Sequence, residues 1–126
     1  MTDSLDRLYD AVLETKGADP ATSRTARLLN SGRAKMAKKL AEEAVEVVID
    51  AIHGGREAIV RESADLLYNL VVLWVASGIQ PKDVWKEMDR RERLFGIAEK
   101  LIKASAGAKG RYKVAAFDTR RMRKRR

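Results

Sequence analysis

The sequence contains no cysteine, and none of its apolar runs is long enough to cross a bilayer. Without cysteine, the chain has neither disulfides nor thiolate metal ligands. The longest apolar run, LLYNLVVLWVA at residues 66–76, is too short for a membrane-spanning helix and indicates a buried helix instead. The N-terminal segment also lacks the basic and apolar regions of a signal peptide. These absences predict a cytoplasmic protein with no membrane association.

The main body of the chain lacks an excess of basic residues, although the formal net charge is +8. Residues 1–96 contain 15 Lys/Arg against 16 Asp/Glu, whereas residues 97–126 contain 11 against 2. The basic excess that gives the chain its high pI therefore lies in residues 97–126, and the main body is close to neutral. We expect residues 1–103 to form one all-α domain and residues 104–126 to form a basic, disordered tail.

Hydrophobic periodicity predicts helices along most of the first hundred residues. Apolar residues recur with the i, i+3, i+4 spacing of an amphipathic helix. The predicted helices cover residues 4–16, 23–30, 33–53 and 56–77, and a last one begins at Pro81. Only YKVAAF at 112–117 reads as a possible strand. The predicted fold is an all-α bundle of four or five helices.

One of these helices gathers acidic residues into a single stripe. The segment KKLAEEAVEVVIDA, residues 38–51, is apolar on nearly all other sides. The stripe contains Glu42, Glu43, Glu46 and Asp50. Like charges at i,i+3 and i,i+4 repel one another on a helix, so the stripe requires a compensating partner.

A second acidic pair lies on the next predicted helix. Glu62, Asp65 and Asn69 form a narrow polar wedge in an otherwise apolar stretch. The tight HGGRE turn between the two helices predicts an antiparallel hairpin, in which Glu43 and Glu46 face the second acidic pair. Four converging carboxylates require a cation between them, and hard oxygen ligands suit Mg²⁺ or Mn²⁺.

Two structural alternatives to a metal site remain open from the sequence. Acid-rich helix faces are commonly solvated, and Lys35, Lys38 and Lys39 could screen the first stripe. Arg61 or Arg33 could form a structural ion pair with the second acidic pair. The coincidence of two i,i+3 acidic pairs on facing helices favours the cation site.

The long apolar stretch at 66–76 also bears on assembly. A single domain of this size can hardly cover a helix that is apolar on nearly all sides. We therefore expect a homodimer or a higher homo-oligomer, in which dimerisation completes the acidic site. Tyr68, Trp74 and Trp85 have the spacing of core residues, and the single histidine, His53, lies at a helix C-terminus, where it suits a capping role.

Several segments resemble, in order and spacing, the blocks of one enzyme group. AEEAVE at 41–46, followed by ESAD at 62–65, resembles the EExxE…ExxD signature of the MazG-like all-α NTP pyrophosphatases. Within that group, the chain resembles the phosphoribosyl-ATP pyrophosphohydrolase family of histidine biosynthesis. The segments that carry this likeness are TARLLNSG, KMAKKLAEEAVEVVIDA, ESADLLYNLVVLW and GIQPKDVWKEMDRR. It extends over about residues 4–93.

The resemblance implies Mg²⁺-dependent hydrolysis of phosphoribosyl-ATP to phosphoribosyl-AMP and pyrophosphate. By position, Glu43, Glu46, Glu62 and Asp65 resemble the family's metal ligands. Glu42 resembles an additional acidic residue that binds metal or orients the attacking water. For the general base we consider Glu42 or Glu46. Members of the family are helical and usually dimeric, with sites at helix or subunit interfaces.

Candidate substrate-binding residues lie beside the acidic stripe. They are Lys35, Lys39, Arg33, Arg24 and Asn69; for the basic residues, surface solubility is the alternative explanation. The sequence departs from the family at Arg24, where relatives usually have tyrosine, at Ala41, which replaces a glycine, and at Asn69, which replaces a histidine. It also continues well past Arg91, where many relatives end.

Two other functions remain open. A house-cleaning pyrophosphatase would act on non-standard nucleotides at the same acidic site. A helical nucleic-acid-binding module would use the RRMRKRR tail for weak, non-specific phosphate contacts.

Overall fold

The computed structural model describes residues 3–104, with side chains described through residue 96. Within these residues the chain forms five helices and no strand, which confirms the all-α fold class. The helices are α1 (Ser4–Glu14), α2 (Arg24–Leu29), α3 (Arg33–His53), α4 (Arg56–Ser77) and α5 (Pro81–Ala104). The predicted basic tail, apart from its first residue, and the possible strand at 112–117 lie outside the described residues.

Side-chain caps fix the starts of the two shortest helices. The Oδ1 atom of Asp3 accepts a hydrogen bond from the Asp6 amide at 2.8 Å, and the Ser23 hydroxyl accepts one from the Ala26 amide at 3.1 Å. Each bond satisfies a backbone donor that the first turn of a helix leaves without a partner. The second cap orients α2, which contributes residues to the candidate site described below.

The chain divides into two compact units. The first extends through Val84 and contains α1 to α4. The second begins at Trp85 and includes the rest of α5, where Glu87 bonds to Arg90 at 2.7 Å and to Arg91 at 2.9 Å. Hydrogen bonds from Arg90 and then Arg91 lower the pKa of Glu87 to about 2.

The core of the first unit is built around the second half of α4. Its buried members are Val12 of α1, Met36 of α3, and Val71, Val72, Trp74 and Val75 of α4. α4 contacts α1, α2 and α3, so it is the central helix of this unit. The prediction that residues 66–76 are buried is therefore confirmed in their C-terminal part, whereas Leu67 is 42% exposed.

α3 and α4 form the predicted antiparallel hairpin. Gly54 ends α3 with a φ of +73°, a left-handed conformation that glycine adopts without steric cost. His53 lies just before this turn, and its Nδ1 is 3.0 Å from the Ile49 carbonyl, in keeping with a capping role. Because the turn is so short, residues near the middle of the two helices face one another.

No helix in the described part of the chain combines the length and the apolar character that a membrane span requires.

Candidate active site

Three carboxylates meet where α3 packs against α4. Glu43 comes from α3, and Glu62 and Asp65 come from α4. One carboxylate oxygen from each residue lies within 4.8 Å of the other two. We call these three residues the acidic triad. Glu62 and Asp65 are separated by three residues on one helix, and this spacing places both on the side that faces Glu43.

The surroundings of Glu62 in the acidic triad raise the pKa of its carboxyl group. The largest cause is the partial withdrawal of its carboxyl from water, followed by a side-chain hydrogen bond with Glu43. Repulsion from Glu43, Asp65 and Glu46 acts in the same direction. All of these causes disfavour the charged form of Glu62. A cation among the three carboxylates would favour that charged form.

No basic side chain in the described structure forms an ion pair with the acidic triad. Among residues 3–96, the ion pairs join Arg56 to Glu57, and Glu87 to Arg90 and Arg91. The structural ion pair considered for Arg61 or Arg33 is thus not formed there. Hydrogen bonds from arginine do not account for the convergence of these carboxylates.

The acidic triad fits a small divalent cation. Its donors are hard carboxylate oxygens, which are the protein ligands that Mg²⁺ and Mn²⁺ prefer. Oxygens that bind one Mg²⁺ at about 2.1 Å lie at most about 4.2 Å apart. The observed separations, up to 4.8 Å, approach this limit and need only small side-chain rotations to reach it.

The other predicted acidic residues lie outside the triad. Glu46 is exposed, yet it is close enough to Glu62 to raise its pKa. Glu42 is exposed on α3 and is absent from both the triad and the cavity wall. The structure therefore brings three of the four predicted ligands together, with Glu46 at their edge.

A cavity of about 500 Å³ opens beside the acidic triad. Glu43 and Asp65 form part of its wall. The remaining lining residues come from α2, its connection to α3, the start of α3 and the middle of α4, and they are Arg24, Arg27, Leu28, Ser31, Lys35, Lys39, Tyr68 and Asn69. Of the predicted substrate-binding residues, Arg33 alone does not line this cavity.

The cavity wall carries charges of both signs. Two carboxylates, Glu43 and Asp65, line it together with four basic side chains, namely Arg24, Arg27, Lys35 and Lys39. None of these four forms an ion pair with a carboxylate in the described part of the chain. Such a wall attracts a polyanion that also carries or binds a cation.

Sequence reasoning assigned no binding role to four residues of the cavity wall, namely Arg27, Leu28, Ser31 and Tyr68. Arg27 follows Arg24 by three positions on α2, so the same helix face presents both, a spacing visible in the sequence. Tyr68 was assigned to the core from its spacing; it does pack against the buried core, and it also lines the cavity, where its hydroxyl lies 2.7 Å from that of Thr25. This bond connects α2 to α4, a contact that no local pattern predicts.

Comparison with known proteins gives a consistent result. The family model described as phosphoribosyl-ATP pyrophosphohydrolase matches residues 5–92. The phosphoribosyl-ATP pyrophosphatase 2 of Rhodopseudomonas palustris is 69% identical, covering 85% of this chain and 82% of the relative. The protein of the same name from Bradyrhizobium diazoefficiens is 59% identical over 99% of each chain. The phosphoribosyl-ATP pyrophosphatase of Azospirillum brasilense is 54% identical, covering 80% of this chain and 91% of the relative.

These matches extend over both helices of the acidic hairpin and over the α2 segment that completes the cavity. The chain belongs to the phosphoribosyl-ATP pyrophosphohydrolase family.

Proposed function

We propose that this protein hydrolyses phosphoribosyl-ATP to phosphoribosyl-AMP and pyrophosphate, a step of histidine biosynthesis. The observation that carries the proposal is an acidic triad beside a cation-lined cavity in a member of this family. Cleavage between the α and β phosphorus atoms requires neutralisation of a polyanion and an in-line water. The basic side chains of the cavity wall and a cation held by the acidic triad would together meet these two requirements. A cytoplasmic location, where this pathway would operate, belongs to the same proposal.

Glu43, Glu62 and Asp65 would hold Mg²⁺, or alternatively Mn²⁺, with Glu46 available as a further ligand. Bound there, the ion would supply positive charge to phosphate oxygens and acidity to water. The support is the set of carboxylates that converge without a basic partner. The number of ions is open, because Glu46 adds a fourth carboxylate at the edge of the triad.

The basic wall of the cavity would bind the phosphate chain. Lys35, Lys39 and Glu43 are spaced four residues apart on α3, so they lie along one side of that helix. This row runs from two cations to one member of the acidic triad. Arg24 and Arg27 would contact the substrate from the α2 side, while Arg33, outside the lining, would act only at its margin.

A carboxylate at the edge of the triad would take the proton from the attacking water. Glu46 is the better supported base, because its charge acts on Glu62 and its side chain is exposed to solvent. Glu42 is the alternative base, as it directly precedes Glu43 on α3. Replacing each by glutamine and comparing kcat at saturating Mg²⁺ would identify the base, since loss of proton transfer lowers kcat even where added Mg²⁺ compensates for a lost ligand.

A house-cleaning pyrophosphatase that acts on a non-standard nucleotide is the second candidate. One observation favours it: Arg24 and Asn69, where family members usually have tyrosine and histidine, both line the cavity. These two substitutions therefore alter the surface that would contact the nucleoside. They leave the acidic triad unchanged, so the type of reaction remains the same in both candidates.

The test is a substrate panel with pyrophosphate release as the readout. Phosphoribosyl-ATP, ATP and the deoxynucleoside triphosphates are compared with and without Mg²⁺, using Glu57→Gln as a control on an exposed carboxylate of α4 that does not belong to the triad. We expect phosphoribosyl-ATP to give the highest kcat/KM. No turnover of phosphoribosyl-ATP beside a productive deoxynucleotide would refute the first candidate.

Nucleic-acid binding by the basic tail, residues 104–126, is a separate and less favoured proposal. Its basis is the concentration of basic residues at the C-terminal end. Deleting residues 104–126 tests it together with the placement of the active site. Full pyrophosphate release by the shortened protein places the site in the helices, whereas loss of activity with an intact fold would contradict that placement.

A further inference from the structure

Asn69 holds a buried hydrogen-bond acceptor with no protein donor. The side chain is only 4% exposed, and its Oδ1 accepts no hydrogen bond within the described part of the chain. Its Nδ2 donates to the backbone carbonyl of Asp65 at 2.8 Å. That carbonyl can only accept, so flipping the amide would set two acceptors against each other. The orientation of the amide is therefore fixed, with Oδ1 as the free acceptor.

Asn30 makes the same side-chain bond to the backbone as Asn69, but at an exposed position. Its Nδ2 donates to the Ala26 carbonyl, also four residues earlier, at 2.7 Å. Asn30 is exposed, so its Oδ1 can bond to water. At Asn69 burial removes that option, and an unsatisfied buried acceptor destabilises the folded state. A ligand that brings a donor would remove this cost.

The position of Asn69 indicates which group of a ligand could donate to its Oδ1. The residue lines the same cavity as Asp65 and lies one helical turn, about 5.4 Å, beyond it on α4. Phosphate oxygens are acceptors and cannot satisfy Oδ1. In a nucleotide the first group beyond the α-phosphate that carries donors is the ribose. The adjacent Tyr68 hydroxyl is already engaged with Thr25 at 2.7 Å.

We infer that Asn69 Oδ1 accepts a hydrogen bond from a ribose hydroxyl of the nucleotide whose α-phosphate lies at the acidic triad. The inference rests on the proposed function and adds a specificity-determining contact to it. Long, exposed side chains, including Arg24 and Lys39, form other parts of the cavity wall. For a nucleoside to reach the buried Oδ1, side chains of the wall must move, and long exposed side chains change rotamer readily. A site that bonds a substrate hydroxyl rejects the analogue that lacks it, because its own polar group is then left unpaired.

The experiment compares phosphoribosyl-ATP with its 2′-deoxy and 3′-deoxy analogues, prepared from the corresponding deoxy forms of ATP. Values of kcat/KM are measured for wild type, Asn69→Leu and Asn69→Ala, with Asn30→Leu as the matched control. Two replacements of different volume are used so that a packing defect in one does not decide the outcome, and circular dichroism verifies the fold of each.

We expect the wild type to disfavour one deoxy analogue by about 10- to 100-fold. That ratio should fall to about 1 in both Asn69 variants, whereas Asn30→Leu should retain it. Equal kcat/KM for all three substrates in the wild type would overturn the inference. So would discrimination that survives in both Asn69 variants.

A third result that would contradict the inference is a change in the Mg²⁺ dependence of activity alone. If the Asn69 variants shift the Mg²⁺ concentration for half-maximal activity but keep the deoxy discrimination, the acceptor serves an ion-bound water and the inference is wrong. Failure of the proposed function looks different: the wild type would then release no pyrophosphate from phosphoribosyl-ATP itself. That result removes the inference together with the function on which it rests.

Discussion

Glu62 carries the clearest electrostatic signature of the candidate site. Its pKa is raised by partial burial, by the hydrogen bond with Glu43 and by the charges of neighbouring carboxylates. Glu87, on α5, shows the opposite case, because two arginines lower its pKa to about 2. The charged form of Glu87 is thus stabilised by its arginine neighbours, whereas the charged form of Glu62 has no such basic partner.

This difference gives a pH prediction for the metal-free protein. Below its ordinary value of 4.5, Glu62 is protonated in both the folded and unfolded states and contributes nothing. As the pH rises through the raised folded-state pKa, the folded protein must ionise Glu62 beside other carboxylates. The free energy of unfolding should therefore fall with rising pH over this interval, relative to Glu62→Gln.

The measurement is urea unfolding with EDTA at several values from about pH 4.5 to about pH 8. The difference in unfolding free energy between wild type and Glu62→Gln is plotted against pH. Added Mg²⁺ should reduce the slope, because the ion neutralises the triad. A difference that is independent of pH in EDTA would contradict the electrostatic account.

The hairpin of α3 and α4 places the triad, and Gly54 is the residue on which its turn depends. Gly54 has a φ of +73°, and no atom lies within 4 Å of a Cβ built there. The cost of a side chain is therefore conformational and not steric contact with a neighbour. Gly54→Ala should lower the free energy of unfolding by about 1–2 kcal/mol, which corresponds to a Tm lowered by about 5 °C.

Gly96→Ala is the matched control. Gly96 lies inside α5, also with open space around it and without a positive φ. Alanine has the higher helix propensity, so this variant should be neutral or slightly more stable. Thermal unfolding followed by circular dichroism distinguishes the two substitutions. Equal Tm changes in both would mean that the turn conformation does not contribute as argued.

The helices and the acidic hairpin could be predicted because they depend on local rules. Residue spacing predicted the first and last residues of α3 and α4 as the structure has them. The short turn with two glycines between these helices predicted that they pack antiparallel. The prediction for α1 extended to residue 16, but the helix ends at Glu14, where the Thr15 hydroxyl donates to the Val12 carbonyl at 2.7 Å. A side chain that competes for a carbonyl ends a helix without changing its hydrophobic pattern.

The cavity could be predicted only in part. Lys35 and Lys39 follow from their spacing with Glu43 on one helix. Arg27 and Tyr68 depend on where α2 packs against α4, and six residues of helix give no periodic signal strong enough to fix that packing. This part of the cavity wall therefore depends on tertiary contacts, such as the bond between Thr25 and Tyr68, which local sequence patterns do not reveal.

An apolar face on α3 supports the proposed dimer. Val45, Val48, Ile49 and Ile52 recur at i, i+3, i+4 and i+7, and they are 42–77% exposed. On α4, Val60 and Leu67 are 52% and 42% exposed. Contiguous apolar surface of this kind is typical of an interface between chains. We propose that a second copy of the chain covers it, as expected for this family.

Substitution on this face tests the dimer. Ile52→Glu places a charge at the most exposed position of the face and should raise the dimer dissociation constant at least about 100-fold. Leu13→Glu, on α1 and 41% exposed, is the control. Light scattering after size-exclusion chromatography measures the mass of each variant. A wild type that is monomeric at micromolar concentration, or an Ile52→Glu variant that remains dimeric, would contradict the proposal.

Calorimetric titration of the wild-type protein with Mg²⁺ tests the central claim most directly. If Glu43, Glu62 and Asp65 converge to hold a cation, the titration should show saturable binding, and Asp65→Asn should weaken it at least about 10-fold. Glu57→Gln removes the same charge from an exposed position on the same helix and should leave binding unchanged. No heat of binding in the wild type, or equal affinity in Asp65→Asn, would show that these carboxylates do not form a metal site.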